Sequence, residues 1–448
     1  MEFEIGENLE LEIVDINSEG MGVGKYDGFT FFVEGATIGD RVLCEIIKLK
    51  KNFGIGKAVD IIKESPYRVA SKCEYFGQCG GCELHNLRYD KQLELKTNLV
   101  KNKLERIGKL EDVIVKNTIG MDYPYRYRNK GEFKVGKNYQ IGYFKRGTHE
   151  ICPVEKSIIQ KATADVVIKI IKEYMNKYKV DGYDRKTKKG TIKNIIIKTN
   201  RDNQVMVIVV TKSEKLPHKE GLIGLLTNND EIQVVSIYQN INSKDTSVVL
   251  GPKDIKLYGE DRLIDYIGEY KFLISPKSFF QVNPIQTEVL YSKVIEYLNL
   301  TGNETVADLY CGIGTISLYI SKYAKKVYGV EVVKEAIDDA NENKKLNKVD
   351  NVEFILGKSE DVLPKLNSQS IKIDAIVVDP PRKGLDRTLI DSILEANPEK
   401  IVYVSCNPST LARDLRYLVE GGYKVVEAQP VDMFPHTMHV ETVSLLIR

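Results

Sequence analysis

Two arrangements of cysteine in this chain could do chemistry. The first is Cys406. It ends a run of β-formers at residues 401–406, in Ser405-Cys406-Asn407-Pro408, and a helical pattern follows with Ser409 as its expected cap. A thiol at a helix N-terminus is favoured as its anion and can act as a nucleophile. The second is Cys73, Cys79 and Cys82 in a glycine-rich turn, with Cys152, just before Pro153, as the candidate fourth member. Soft thiolates grouped this way suit zinc or an iron–sulfur cluster, and spacing does not separate the two. Seven cysteines is an odd number, which fits metal or catalytic use better than a disulfide framework. The remaining two read as a buried strand residue, Cys44, and a small side chain in a turn, Cys311.

The neighbourhood of Cys311 offers a ligand for Cys406 to act beside. A short apolar strand at 305–310 runs into Cys311-Gly312-Ile313-Gly314-Thr315 and a helix, and a second strand, 326–330, ends on Glu331. Gly312 and Gly314 let a ligand approach the backbone, and Glu331 is placed to accept hydrogen bonds from a ribose diol. A dehydrogenase would carry a third glycine where Ser317 stands. The pattern from Asp308 to Gly314 instead resembles the first motif of S-adenosylmethionine-dependent methyltransferases. Residues 351–357 with Ser359-Glu360-Asp361 suit a third strand and its acidic end, and residues 373–378 with Asp379-Pro380-Pro381-Arg382 suit a fourth. Asp379 is then carried to the C-terminal rim, where ligands bind in open α/β sheets, and the prolines stiffen its turn. In the usual parallel order Asp379 and Cys406 end neighbouring strands.

A thiol beside a methyl donor points to the C5 carbon of a pyrimidine, which becomes a nucleophile only after something adds at C6. A base must then remove the C5 proton. Residues 424–447 read as a hairpin completing the sheet, its last strand antiparallel, so Glu441 begins at the rim that holds Cys406. A carboxylate among apolar neighbours gains a raised pKa suited to proton abstraction. His436 and His439 rank below it for this task.

The chemistry needs a frame, and the chain divides into three regions: residues 1–63 as a small β-barrel, 64–270 as an α+β domain carrying the cysteine cluster, and 271–448 as a Rossmann-like α/β sheet. A helical segment at 87–107 is expected to pack on the last region. In the barrel, strands at 9–17, 28–33, 41–48 and 53–62 flank a glycine-rich turn at 18–24, and Lys48, Lys50, Lys51 and Lys57 cluster on the last hairpin. Lysines there either protect an edge or meet an RNA backbone. Residues 123–146 interleave cations and aromatics, as single-stranded RNA surfaces do, and as a hairpin with an aromatic core does. The 448 residues carry a net charge of +2, so a nucleic-acid site must be a local patch. No run of 18 apolar residues occurs and the N-terminus is acidic, so no membrane span or signal peptide is expected and a cytoplasmic protein is.

Taken together, Ser275-Pro276-Lys277-Ser278-Phe279-Phe280-Gln281-Val282-Asn283, the Asp308–Gly314 motif, Asp379-Pro380-Pro381-Arg382, Ser405-Cys406-Asn407-Pro408 and His439-Val440-Glu441 resemble the RNA uracil-5-methyltransferase family over essentially the whole chain. The similarity is greatest to the branch that modifies 23S ribosomal RNA. The resemblance implies Cys406 as nucleophile and Glu441 as base. It implies cofactor or pocket contacts from Gln281, Tyr310, Glu331 and Asp379, and a target uridine flipped from its stack. It also implies a [4Fe–4S] cluster on Cys73, Cys79, Cys82 and Cys152, S-adenosylmethionine as methyl donor, and a TRAM domain in the first sixty residues. No membrane and no obligate protein partner is inferred. Synthesis of 5-methylcytosine would place a second cysteine in the fourth-strand motif, where Arg382 stands. Amino-group methylation would place an aromatic there. A transfer-RNA uridine remains the alternative substrate, and a non-catalytic iron–sulfur RNA-binding factor the alternative class.

Overall fold

The computed structural model describes residues 3–184 and 186–448. The chain begins with a closed barrel of five strands, β1 (Asn8–Ile16), β2 (Gly22–Tyr26), β3 (Phe29–Glu34), β4 (Arg41–Leu49) and β5 (Phe53–Lys63), paired in the order β1-β2-β3-β5-β4. Side chains alternate along each strand, so Leu9, Leu11 and Ile13 point inward with Phe31, Val33, Val42, Cys44 and Ile46. Strand β2 lies where sequence reading expects the later half of a turn. Its alternate glycines hide it, because β-propensity counts glycine against a strand. Packing requires them: a Cβ at Gly22 would stand 2.8 Å from Ile13 Cγ2.

After the barrel comes the cysteine-bearing turn, then α1 (Tyr89–Lys103), closed by a single π turn, Leu104–Gly108, and the short strand β6 (Ile114–Val115). Val100 and Leu104 pack with Leu411, Leu415 and Leu418. A seven-stranded sheet follows. Its elements are β7 (Lys130–Val135), β8 (Ile141–Phe144), β9 (Ile151–Pro153), α2 (Ala162–Tyr178), β10 (Ile192–Thr199), β11 (Gln204–Thr211), α3 (Lys219–Thr227), β12 (Gln233–Ile241) and β13 (Lys253–Gly259). The strand order is β13-β12-β11-β10-β7-β8-β9. One face is covered by α2 and α3; on the other, Ile196, Met206, Ile208 and Val210 share a core with Phe272 and Phe280 from the following region. A hairpin of β14 (Leu263–Ile267) and β15 (Tyr270–Ile274) runs across residue 270.

The remainder is a doubly wound α/β unit. It comprises α4 (Pro284–Leu298), β16 (Thr305–Leu309), α5 (Thr315–Ser321), β17 (Lys326–Glu331), α6 (Lys334–Leu346), β18 (Val352–Leu356), α7 (Ser359–Ser368), β19 (Ala375–Val378), α8 (Arg387–Ala396), β20 (Lys400–Ser405), α9 (Pro408–Glu420), β21 (Lys424–Val431) and β22 (Glu441–Ile447). The sheet order is β18-β17-β16-β19-β20-β22-β21-β6. The strands β16 to β20 are parallel, and β22 runs antiparallel to β20 and β21. Successive residues serve cores on opposite faces, Val306 in one and Ala307 in the other. The winding direction reverses between β16 and β19, and that reversal opens a crevice at the C-terminal rim. Ser359, Glu360 and Asp361 form the first turn of α7 rather than the end of a strand, since acidic residues favour a helix N-terminus.

Candidate active site

Cys406 stands one residue past β20, and Glu441 opens β22. The register pairs Ser405 with Thr442, so the next residues, Cys406 and Glu441, face each other across two antiparallel strands. Asp379 follows β19, the other neighbour of β20. These three residues line a single cavity of about 990 Å³ with Tyr310, Gly312, Glu331 and Gln281. Every proposed catalytic and cofactor residue except Gly314 is therefore on its wall. Gly314 acts from behind, as the left-handed N-cap of α5, with φ of 84°.

The glycine turn has the form a nucleoside needs. Gly312 has φ of 55° and open space where a Cβ would project. Its amide donates to Glu331 Oε2 at 3.3 Å, while Glu331 Oε1 accepts from the amides of Val332 and Val333 at 2.8 and 2.9 Å. An ionised carboxylate has about four acceptor sites, so capacity is left for ribose hydroxyls. Beneath the turn, Asp308 Oδ2 accepts from Ser317 Oγ at 2.5 Å, and Oδ1 is buried with no partner. Burial pushes the Asp308 carboxyl up to about 7.

The helix cap after Cys406 is Asn407, not Ser409. Asn407 Oδ1 accepts from the Ser409 amide at 3.1 Å and Pro408 takes the first helical position, where its missing N–H costs nothing. The expected acidic shift of the thiol is also corrected. Burial, Glu441 and Asp379 push Cys406 up to about 11, and Arg382 acts in the opposite sense. Two nearby carboxylates and desolvation outweigh the helix terminus. Burial and Asp379 raise Glu441 well above the ordinary carboxylate value, and burial raises Asp379 to about 7. Glu441 is thus a strong base once ionised. His436 does not line the cavity; it is buried, stacked on His85 at 4.1 Å, and burial lowers it to about 3. His439 is at the rim, 3.4 Å from Arg382.

The cysteine-bearing turn borders the same cavity, which Cys73, Cys79 and Cys82 also line. It is zipped to β8: Cys79 bridges Lys145, and the Gly80 amide donates to the Phe144 carbonyl at 2.9 Å. Cys152, in β9, pairs with Tyr143 in the same hairpin layer. Cys73 and Cys152 both act electrostatically on Cys79. All four thiols are free. Among the described residues, however, no three His, Cys, Asp or Glu side chains converge closely enough to hold a metal ion.

Several residues at the site escaped sequence reading. Lys96 and Asp432 form a fully buried ion pair beneath the segment leading to Glu441. The spacing of four that joins Gln92, Lys96 and Val100 was the available signal, since all three are buried on one face of α1. Glu83 accepts from the Met438 amide at 3.2 Å, and no sequence pattern marks it. In the 123–146 stretch Tyr127 and Phe133 are core while Tyr123 is exposed, so the segment has both an apolar interior and an open face.

Comparison with known proteins agrees with this geometry. The family model described as tRNA (Uracil-5-)-methyltransferase matches residues 88–448, and the TRAM domain model matches residues 2–59. An "uncharacterized RNA methyltransferase" of Clostridium tetani is 50% identical over 440 residues, covering 97% of this chain and 95% of its own. Another from Caldanaerobacter subterraneus is 48% identical, covering 99% of each chain. Among solved structures, the Pyrococcus abyssi tRNA (uracil-54, C5)-methyltransferase in complex with S-adenosyl-L-homocysteine superposes with a TM-score of 0.79 at 30% identity, over 98% of this chain and 100% of that one. With the motifs, the cavity and these matches in agreement, the chain belongs to the S-adenosylmethionine-dependent RNA uracil-5-methyltransferase family and carries a TRAM domain.

Proposed function

We propose that this enzyme methylates C5 of a specific uridine in 23S ribosomal RNA, with Cys406 as nucleophile and Glu441 as base. The observation that carries the reading is the Ser405–Thr442 register, which sets Cys406 and Glu441 opposite each other on one cavity wall. Cys406 gives its proton to solvent, Sγ bonds to C6 of the flipped uracil, and C5 gains the electron density to attack. S-adenosylmethionine, when bound, supplies the methyl group to C5. Glu441 takes the C5 proton, the C5–C6 double bond returns and the C6–S bond breaks. Gly312 and Gly314 shape the cofactor turn, Glu331 accepts the ribose, and Tyr310, Gln281 and Asp379 contact cofactor or base. Cys406→Ala is expected to bind RNA and S-adenosylmethionine but form no 5-methyluridine; wild-type turnover by this variant overturns the mechanism.

The barrel over residues 1–63 is assigned to RNA binding, residues 64–270 to a cysteine-bearing domain and 271–448 to catalysis. Cys73, Cys79, Cys82 and Cys152 are proposed to hold a [4Fe–4S] cluster. The donor set supports this, being four thiols on two segments joined through β8; a cluster would supply the positive charge that buried thiolates need. No step of methyl transfer is routed through it. Iron and sulfide assays on anaerobically purified protein, with each cysteine changed to serine, test the ligand set.

A transfer-RNA uridine is the second reading, favoured by the likeness to the Pyrococcus enzyme. That likeness spans 98% of this chain, so neither the barrel nor the cysteine turn separates the two RNA classes. Mapping 5-methyluridine in both RNA classes from a deletion strain decides between them.

A further inference from the structure

Lys198 lies near the end of β10 and is buried, with 5% of its surface exposed. Lysine is rarely placed so deep without a carboxylate partner. Both of its hydrogen bonds go to backbone carbonyls, those of Ser275 at 2.8 Å and Ser278 at 2.9 Å. Burial, with Lys130 adding to it, pushes its ammonium down to about 7. Burying this amine is costly, and what the site gains is a grip on one turn. That turn, 275–278, leads directly into Phe279 and Gln281 on the wall of the Cys406 cavity. Phe279 is 68% exposed, a large apolar ring held out toward the opening.

The neighbouring residues on the same sheet extend the grip. The Thr199 amide donates to the Asn129 carbonyl at 2.8 Å. Asn129 in turn donates from its amide to Val282 at 2.9 Å and from Nδ2 to the Gln281 carbonyl at 3.1 Å. From the other side, Ser278 Oγ donates to Asp339 Oδ2 on α6 at 2.7 Å. The loop is therefore held on both flanks: the seven-stranded sheet holds one and the methyltransferase sheet's helix holds the other.

We propose that Lys198 is a positioning residue for methyl transfer, its buried amine fixing the 275–278 turn through two donated hydrogen bonds, and through that turn Phe279 and Gln281 against the reacting groups. The inference rests on the assignment of this cavity to uracil methylation. Lys198 touches neither base nor cofactor; it acts by removing freedom from the segment that does. Reacting groups displaced by about 1 Å lose on the order of a hundredfold in rate.

The test compares Lys198→Met with wild type in four measurements: thermal unfolding, RNA affinity, S-adenosylhomocysteine affinity and single-turnover formation of 5-methyluridine. Methionine has a similar reach and no donor, so the Ser275 and Ser278 carbonyls lose this partner; some loss of stability is expected, with the variant still folded at the assay temperature. RNA affinity is expected within about threefold of wild type, while turnover falls on the order of a hundredfold. Turnover within about threefold of wild type overturns the proposal. So does a variant that fails to fold, or one whose activity falls only in proportion to its folded fraction, since either makes Lys198 a stabiliser. Asn129→Ala, which removes the donor to Gln281, is expected to slow turnover as well; a folded variant with wild-type rate also overturns the proposal. Absence of 5-methyluridine from the wild-type reaction instead overturns the functional reading, and the inference with it.

Discussion

Lys96 donates to Asp432 at 2.5 Å, and both side chains are wholly removed from solvent. The pair joins α1 to the segment that runs from β21 toward Glu441. Lys96 also donates to the Phe434 carbonyl at 3.0 Å, and Tyr89 donates its hydroxyl to Asp432 at 2.8 Å. A buried pair adds little net stability, but removing one partner strands a charge. Lys96→Met is expected to destabilise the chain by about 3–5 kcal/mol. Urea unfolding measures this, and Lys96→Met combined with Asp432→Leu should recover part of the loss. A single variant as stable as wild type would show that the pair carries no such charge.

The Cys406 thiol, pushed up to about 11 from 9.0, should be sluggish in the free enzyme. At pH 8 its thiolate fraction is roughly a hundredfold below that of an ordinary cysteine. Alkylation by iodoacetamide, followed by mass spectrometry of the Cys406 peptide, should therefore rise about tenfold per pH unit from 8 to 10. Arg382 favours the thiolate, so Arg382→Gln should slow labelling further at every pH. A flat profile across that range would contradict the assigned surroundings.

Asp308 is a carboxyl whose folded value, about 7, exceeds its ordinary 3.8. The folded chain holds this proton where the unfolded chain has lost it. Its contribution to stability is thus intact below about pH 4 and is lost as pH rises toward 7. Asp308→Asn should stabilise the ligand-free protein at pH 8, by up to about 4 kcal/mol, and make little difference at pH 4. Unfolding curves at the two pH values check the sign. Equal effects at both would mean that Asp308 does not titrate in this window.

How much of this the sequence shows depends on the scale of the interaction. Cys406 and Glu441 could be brought together on paper because strand pairing is periodic: a final antiparallel strand puts its first residue beside the last residue of its neighbour. The glycine turn was legible for a similar reason, since Gly312 needs a conformation other residues avoid. The second barrel strand was not, because Gly22 is there for contact with Ile13, 2.8 Å from where its Cβ would stand, and contact leaves no local pattern. The sign of the Cys406 shift is not legible in sequence because a helix terminus leaves a local pattern and burial, the largest cause of the rise, does not. Lys96 and Lys198 were hidden by composition, lysine being a residue that ordinarily marks the surface.

If Glu441 removes the C5 proton, its amide analogue must stall with the base still attached. Glu441→Gln should accumulate an RNA–protein adduct that survives denaturing electrophoresis and carries the transferred methyl group. Cys406→Ala in the same background should abolish the adduct. Turnover intact with no adduct would remove Glu441 from this role.

Glu83 ties the cysteine-bearing turn to the segment that delivers Glu441. Its carboxylate accepts from the Met438 amide, while the amides of Glu83 and Leu84 donate to the His436 carbonyl at 3.0 and 2.9 Å. His436 holds a left-handed φ of 68°, a conformation costly for a residue with a side chain, and these two donors help hold it there. Glu83→Ala removes the bond to Met438 and the carboxylate charge that faces Arg146 and Lys96, and leaves the two backbone bonds to His436. The segment before Glu441 should loosen while the S-adenosylhomocysteine site, built on β16 and β17, keeps its affinity. Proton removal should then slow more than methyl transfer, so a covalent RNA adduct should become visible during turnover, where wild type shows none. Glu83→Gln keeps an acceptor oxygen and should largely restore the wild-type rate. Equal loss in both variants would mean that the carboxylate's charge, and not its bond to Met438, is what the loop requires.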